Sequence, residues 1–317
     1  MTTLQAQANA AARLWGATRA PTLISQRENA VFEVHIGDTK AALRLHRRGY
    51  RTQAEILSEL QWSSALAKAG MNVPQEIHAS DGAPLHSLPD GPDVTVTSWI
   101  EGAPIGDTAT PLGNDAVQLH FDLGVLLGKL HILSDGWTSP PGFTRPAWDT
   151  SALTGPDPEW GAYWTHPALT PEERALIIDA RDKAHTLLAQ NSLDQGLIHA
   201  DAMRENIFQT PSGLTLIDFD DSGIGYRHYE LGCALIQSFD DPRLPDFAQA
   251  LWEGYTTQRE MAHSELLAMF VMLRAFSSLG WIIPRAAPNS PQHKKYAQRA
   301  VAAAQEFLTG PSLFQIG

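Results

Sequence analysis

Apolar and polar positions alternate early in the chain with the two-residue period of strands. Residues 31–36 (VFEVHI) place Phe32, Val34 and Ile36 on one face. Gly37-Asp38 supplies a turn, and residues 41–46 (AALRLH) return with Leu43 and Leu45 opposite Arg44. The period then lengthens. Thr52 and Glu55 have the spacing of a capping box, in which a hydroxyl and a carboxylate satisfy free backbone amides. Ile56, Leu57, Leu60 and Leu66 form an apolar helix face that Gly70 ends. Two further strands are predicted near residues 74–79 and over residues 94–100 (VTVTSWI).

From about Glu101 the texture changes. Asn114 is predicted to cap a long helix through Leu133, with Val117, Phe121, Leu127 and Leu130 at helical spacing. Residues 137–170 are rich in Pro, Gly and Trp and show no period, as in a long and often functional loop. Thr170-Pro171-Glu172-Glu173 starts another helix, with Pro at the first helical position. A short hairpin is predicted over residues 197–219, followed by helices at 245–258, 264–281 and 294–308. No internal repeat is present. The order implies a strand-rich N-lobe over residues 1–100 and a mainly helical C-lobe over residues 101–317. A cleft between such lobes is a natural ligand site.

The 317 residues, 43% of them hydrophobic, suffice for one large or two modest cores, and 18% charge without low complexity argues against disorder. A net charge of -12, from 35 acidic and 23 basic residues, repels a phosphate backbone, so no nucleic-acid partner is expected. The acidity serves solubility and would also steer a cationic substrate. A single cysteine, Cys233, allows neither an intrachain disulfide nor a cysteine zinc site and fits the reducing cytoplasm. The first residues carry no basic start and no long apolar run, so no signal peptide is expected. Residues 266–284 are the most membrane-like. Arg274 and Ser277-Ser278 interrupt them, which predicts a buried helix and no membrane partner.

Chemistry concentrates in LIHADAMRENIF, QTPSG and LTLIDFDD. Asn206 follows Asp201 by five residues, the chain turns at Pro211-Ser212-Gly213, and a second apolar run delivers Asp218. A hairpin brings its outer ends together, so Asp201, Asn206 and Asp218 are expected to converge. Two carboxylates so close repel, and a divalent cation relieves the conflict. Magnesium takes oxygen ligands of this kind together with substrate phosphates. A surface hairpin with polar loop residues is the plainer reading of any one of these residues, and the three together disfavour it.

This pattern resembles the catalytic loop and metal strand of the protein-kinase-like superfamily, most nearly its aminoglycoside phosphotransferase, choline kinase and homoserine kinase members. The resemblance rests on His199-x-Asp201-x4-Asn206 and on Ile217-Asp218-Phe219-Asp220. It implies an α+β, two-lobed fold: a small antiparallel sheet with one helix, then a mainly helical lobe. It implies Asp201 as catalytic base, Asn206 and Asp218 as Mg2+ ligands, and Asp220 as an extra ligand or phosphate-side residue. His199 takes no catalytic role. Arg44 stands where kinases place a lysine for the phosphates of ATP, and Glu59 where its partner glutamate belongs. Arg offers a planar fork where Lys offers a point charge. The loop at residues 25–30, which contains Asn29 and no glycine, should cover the phosphates. The strand carrying Ser98 and Ile100 should meet adenine.

Ala200 before Asp201, the short interval from Asp218 to Glu230, and the lack of an A-P-E motif set the chain apart from eukaryotic-type protein kinases. Glu230 stands where small-molecule kinases carry an Asp that braces the catalytic loop. The implied function is ATP- and Mg2+-dependent transfer to the hydroxyl of a small-molecule acceptor: an amino alcohol, homoserine-like, choline-like or aminoglycoside-like. Two other readings stay open. One is a bacterial stress-response-type protein kinase. The other is a nucleotide-binding scaffold, suggested by arginine for lysine and the glycine-free loop. Trp137, Trp148, Trp160 and Trp164 are candidates either for caging an amine or for packing. GVLLGKL (residues 124–130) fails as a phosphate loop by spacing and by its place within a helix. Gly223-x-Gly225 lacks the third glycine of a dinucleotide fingerprint. His46, His78 and His131 show no metal-ligand spacing.

Overall fold

The computed structural model describes residues 3–107, 110–287 and 290–309. Its elements run α1 (Leu4–Leu14), β1 (Thr22–Gln26), β2 (Ala30–Ile36), β3 (Thr39–Leu45), α2 (Gln53–Lys68), β4 (Leu85–Ser87), β5 (Asp93–Ser98), β6 (Ala103–Pro104) and α3 (Ala116–Asp135). They continue with β7 (Ala147–Trp148), α4 (Thr150–Thr154), α5 (Pro171–Gln190), β8 (Gln195–Ile198), β9 (Ile207–Thr210), β10 (Gly213–Leu216) and β11 (Gly223–Tyr226). Four helices close the chain: α6 (Arg227–Leu235), α7 (Leu244–Thr256), α8 (Leu267–Ile282) and α9 (Pro291–Thr309). These elements fall into two compact units.

The first unit comprises Met1–Ala103, Trp137–Arg145 and Thr210–Asp220. Its antiparallel sheet has the order β1-β2-β3-β5-β4. The predicted alternation holds: Phe32, Val34, Leu43, Leu45, Val94 and Val96 are buried on one face. The register sets Phe32 opposite Leu43 and Leu43 opposite Val96, while Arg44 pairs across with Val31 and Thr95 on the other face. α2 begins with the predicted capping box, Thr52 accepting from the Glu55 amide and Glu55 from the Thr52 amide. Gly70 follows it at φ +93°, a left-handed position that favours glycine.

Three local expectations need correction. Residues 74–79 form no strand. They touch β5 through one bridge, Glu76 to Thr97, with Ile77 N–H donating to Val96 O, and Pro74 has no N–H for a ladder. The strand in that place is β4. The loop expected at residues 25–30 is shorter, because β1 runs to Gln26 and pairs it with Ala30. The chain also opens with α1, whose buried Ala8, Ala11 and Ala12 pack with Trp15 against the sheet. Alanines carry too little hydrophobic signal to stand out as a helical face.

The second unit comprises Pro104–Gly136, Pro146–Gln209 and Asp221–Gly317. α3 starts at Ala116 after Asp115, so Asn114 does not cap it, and no side chain does. Its buried face is Ala116, His120, Leu123, Leu127 and Leu130, whereas Val117 is 42% exposed. The face is rotated because glycines form its contact with α7. A Cβ on Gly124 would lie 2.1 Å from Leu251 O, and one on Gly254 2.0 Å from Phe121 O. α5 has the predicted box of Thr170 and Glu173 with Pro171 at its start.

The apolar run before His199 does not belong to a single hairpin over residues 197–219. It forms β8, which pairs antiparallel with β11, Ile198 opposite Gly223 and Gln195 opposite Tyr226. β7 pairs with β11 on its other side. Residues 137–170 carry short elements rather than a bare loop. In α6 every residue is buried, so it shows no amphipathic pattern to read. By length and composition α3 and residues 264–282 could each cross a membrane, but the most apolar 18-residue window of the latter is 89% buried within the fold.

Candidate active site

In the first unit, β3 projects Arg44 from the face opposite its apolar neighbours, and α2 presents Glu59 to it. One guanidinium nitrogen lies 2.9 Å from Glu59 Oε1 and the other 2.9 Å from Asp218 Oδ1. This is the planar fork in use, two carboxylates on two nitrogens of one side chain. Burial alone would lower the Arg44 pKa, but Asp218, Glu59 and Asp220 hold it above its ordinary value. The Glu59 carboxyl is pushed up to about 7, first by burial, with Arg44 pulling against this and Asp220 adding to it.

Asp218 follows β10 at φ +63°, a left-handed conformation that an L-residue adopts at a cost of about 1–2 kcal/mol. The surrounding contacts hold it there. Phe219 meets Trp62 edge to face at 5.3 Å. Arg145 donates to the carbonyls of Phe219 (3.1 Å), Asp220 (2.5 Å) and Glu55 (2.8 Å). The Asp220 side chain is buried and turned to the β1–β2 turn, where Asn29 Nδ2 donates to its Oδ2 at 3.1 Å. Asn29 Oδ1 in turn accepts from the Arg47 amide. Burial raises the Asp220 pKa. At the end of β5, Ser98 N–H donates to Gln75 O and Ser98 Oγ accepts from Gln75 N–H. Ile100 is half-buried beyond the strand.

In the second unit, β8 leads into residues 199–206. Ala200 stands at φ +63°, and its amide donates to Glu230 Oε1 at 3.2 Å. The His199 amide donates to Glu230 Oε2, so α6 braces the loop through one buried carboxylate. Burial raises the Glu230 pKa, with His199 and the two amides pulling it down. Cys233 donates to Ala200 O at 3.2 Å from the same helix. His199 Nδ1 accepts from the Asp201 amide, a structural use of the ring. Farther along, Arg204 donates to Asp107 O, Thr110 O and Ser238 Oγ, and its amide donates to Gln237 Oε1.

These supports present the Asp201 side chain, which is 23% exposed. Asn206 Nδ2 donates to Asp201 Oδ2 at 2.8 Å and to its carbonyl at 3.0 Å. Arg274 from α8 donates to Asp201 Oδ1 at 2.7 Å. The sequence marked Arg274 only as a break in an apolar run. A cation in the middle of a helix that is otherwise almost wholly apolar was the available signal. Arg274 also lies 4.8 Å over the ring of Trp160, so that tryptophan's cation–π partner is the protein's own arginine. Trp148 is fully buried between Trp160 and Tyr229, Trp164 stacks with Arg181, and Asp149 caps α4.

Asn206 turns its amide nitrogen to Asp201, which leaves its carbonyl oxygen as a hard donor. Asp218 gives one oxygen to Arg44, and its side chain is 45% exposed. Amide and carboxylate oxygens of this kind suit magnesium or calcium. Among the described residues no group of three or more His, Cys, Asp or Glu gathers to hold a metal.

A family model described as "Phosphotransferase enzyme family" matches residues 21–269. A homoserine kinase of Gluconobacter oxydans is 30% identical over 225 residues, 67% of this chain and 66% of that protein, so the chain spans about two-thirds of that relative's length. Among solved structures, a microcompartment-associated aminopropanol kinase superposes with a TM-score of 0.85 at 29% identity, covering 95% of this chain and 97% of that one. An amicoumacin kinase in complex with AMP-PNP, Ca2+ and Ami shares the fold with a TM-score of 0.75 at 19% identity, covering 93% and 90%.

Proposed function

This chain belongs to the phosphotransferase enzyme family, and from that premise we propose that it moves the terminal phosphoryl group of ATP onto the hydroxyl of a small amino alcohol or hydroxy-amino acid in the cytoplasm. Its fold is the α+β, protein-kinase-like one, with a five-stranded antiparallel sheet in one unit and mainly helices in the other. The acceptor class draws support from the names of the relatives: homoserine and aminopropanol each carry a hydroxyl and an amine.

The observation that carries the reading is the Asp201 carboxylate, held by Asn206 and Arg274 on backbone that Glu230 braces. In the proposed reaction the acceptor oxygen forms a bond to the γ-phosphorus and the bond to the β–γ bridging oxygen breaks. Asp201 orients the hydroxyl and receives its proton. Arg44 steadies the nucleotide phosphates and Glu59 holds Arg44. Asn29 belongs to the turn over the phosphates, and Ser98 and Ile100 to the adenine side. Asn206 and Asp218 would hold Mg2+, which when bound neutralises charge on the phosphates. Catalysis of this kind is mostly positioning and charge stabilisation.

The test is incubation with Mg2+ and ATP and, separately, homoserine, aminopropanol, choline and an aminoglycoside, with mass spectrometry of the products. One of the first two should gain a phosphoryl group. Asp201→Ala should lower turnover by about 10²–10⁴-fold. ATP binding without transfer to any acceptor, or unchanged turnover in Asp201→Ala, would overturn the proposal.

A further inference from the structure

We infer that Arg274 is a positioning residue for phosphoryl transfer, acting through Asp201; this rests on the reading of Asp201 as the acceptor-side base. Arg274 lies beyond the residues that match the family model, which end at 269.

Its surroundings are unusual for a cation. α8 buries all of residues 267–280, with Arg274 at 3% exposure in their midst. Burial acts to lower its pKa, but Cys233, Tyr229 and Asp201 together hold it above the ordinary value, so it stays charged. One guanidinium nitrogen donates to Asp201 Oδ1 at 2.7 Å and the other to Ser278 Oγ at 2.6 Å, one turn along the same helix. Trp160 covers the guanidinium face. Trp160 itself is seated against α8, since a Cβ on Gly280 would lie 2.6 Å from its carbonyl oxygen. The guanidinium is therefore held on two sides, by Ser278 and by Trp160, before it meets Asp201.

A buried ion pair is a poor way to stabilise a fold, and an apolar side chain of similar volume often serves better. The pair is also lopsided, because Arg274's side chain is 4% exposed and Asp201's 23%. If Arg274 is removed, Asp201 can still take water; if Asp201 is removed, Arg274 is left buried without its anion. The arrangement makes sense as a device that fixes a carboxylate. Arg274 holds one Asp201 oxygen and Asn206 the other, which sets the carboxylate plane against which an acceptor hydroxyl must align. Misplacement of a reacting group by about 1 Å can cost on the order of 10²-fold in rate.

The test compares Arg274→Met, Arg274→Lys and Asp201→Ala in the full-length protein with Mg2+, ATP and an acceptor shown to be turned over. Arg274→Met should keep or raise the melting temperature and leave KM for ATP within about twofold, while kcat falls by about 10–100-fold. Arg274→Lys, able to reach Asp201 with one point charge, should recover part of the loss. A kcat within twofold of wild type in both arginine variants would overturn the inference. So would a kcat loss that merely tracks a fall in melting temperature. If Arg274→Met fails to fold, Arg274→Lys decides alone, by whether kcat drops at unchanged KM for ATP. Asp201→Ala separates the two layers. An inactive Asp201→Ala beside fully active arginine variants sinks only the role of Arg274. An active Asp201→Ala sinks the base assignment beneath it.

Discussion

Glu230 accepts the backbone N–H of Ala200, a residue held at φ +63° directly before Asp201. The same carboxylate takes the His199 amide, so a single side chain on α6 satisfies two successive buried donors. A left-handed alanine is unfavourable by itself and persists only where its neighbours impose it. Glu230→Ala would leave both donors unsatisfied. The expected loss is about 2–4 kcal/mol in urea unfolding, from two hydrogen bonds to a charged acceptor. Turnover should fall with it even at temperatures where the variant is folded. Glu230→Asp should fall between, because the shorter side chain cannot reach both amides. A Glu230→Ala variant as stable and as active as wild type would show that the loop does not need this brace.

Arg44 makes a second specific expectation. Its two terminal nitrogens serve Glu59 and Asp218 separately, at 2.9 Å each. Lysine is the usual residue for this role in kinases, yet here Arg44→Lys removes one of two charged contacts. KM for ATP is expected to rise severalfold rather than improve. Arg44→Met should do more harm, about 3–5 kcal/mol of stability, because Glu59 is buried and loses its cation. Titration with ATP by calorimetry and thermal unfolding of the two variants check this. A lysine variant that binds ATP more tightly would mean the fork is incidental.

The sheet was legible where bulky residues alternate, as in Phe32 and Val34 against Leu43 and Leu45. The helices α2 and α5 were legible because their capping boxes are local. α1 escaped because alanines form its buried face, and α6 because all its residues are buried and no face contrasts with another. The pairing of β8 with β11 is decided by the fold, and a short apolar run cannot state its partner. In the site, the clustered residues Asp201 and Asn206 were legible from spacing. Arg274 comes from a helix far along the chain, and its contact with Asp201 has no local signature. The positive φ at Ala200 and Asp218 left no mark either, since neither position is glycine.

His120 predicts how the fold responds to acid. It is buried on α3, bonded to Ala116 O at 2.6 Å and stacked on Phe247 at 4.3 Å. Burial lowers its pKa to about 4, against 6.5 in the unfolded chain. Between those values the unfolded state binds more protons than the native one, so stability rises with pH across the window and is lost as pH falls through it. The whole effect of this one ring is at most about 3 kcal/mol. His46 and His131 are lowered in the same direction by burial, so acid sensitivity should begin below about pH 6.5. His120→Phe keeps the stack and cannot titrate. Urea unfolding from pH 4 to 7 should then show a slope shallower by about one proton than wild type. An unchanged slope would show that His120 ionises freely in the folded protein.

The glycine-lysine sequence on α3 offers a final discrimination, because its bare pattern invites a phosphate-loop interpretation. The geometry assigns its glycines to packing. A Cβ on Gly124 would fall 2.1 Å from Leu251 O and 2.7 Å from the Tyr255 amide nitrogen, both backbone atoms of α7 that no rotamer change can move. One on Gly128 would fall 3.0 Å from Tyr255 O. Lys129, by contrast, is exposed. Gly124→Ala forces α3 and α7 apart and should destabilise by about 1–3 kcal/mol or more, as overpacking does. Its residual folded fraction should bind ATP with wild-type affinity. Lys129→Ala should change neither stability, within about 0.5 kcal/mol, nor ATP binding, as for an ordinary surface substitution. A phosphate loop would give the reverse pattern, with Lys129→Ala losing ATP while the fold stays intact. Thermal unfolding and ATP titration of these two variants tell the cases apart without knowledge of the acceptor.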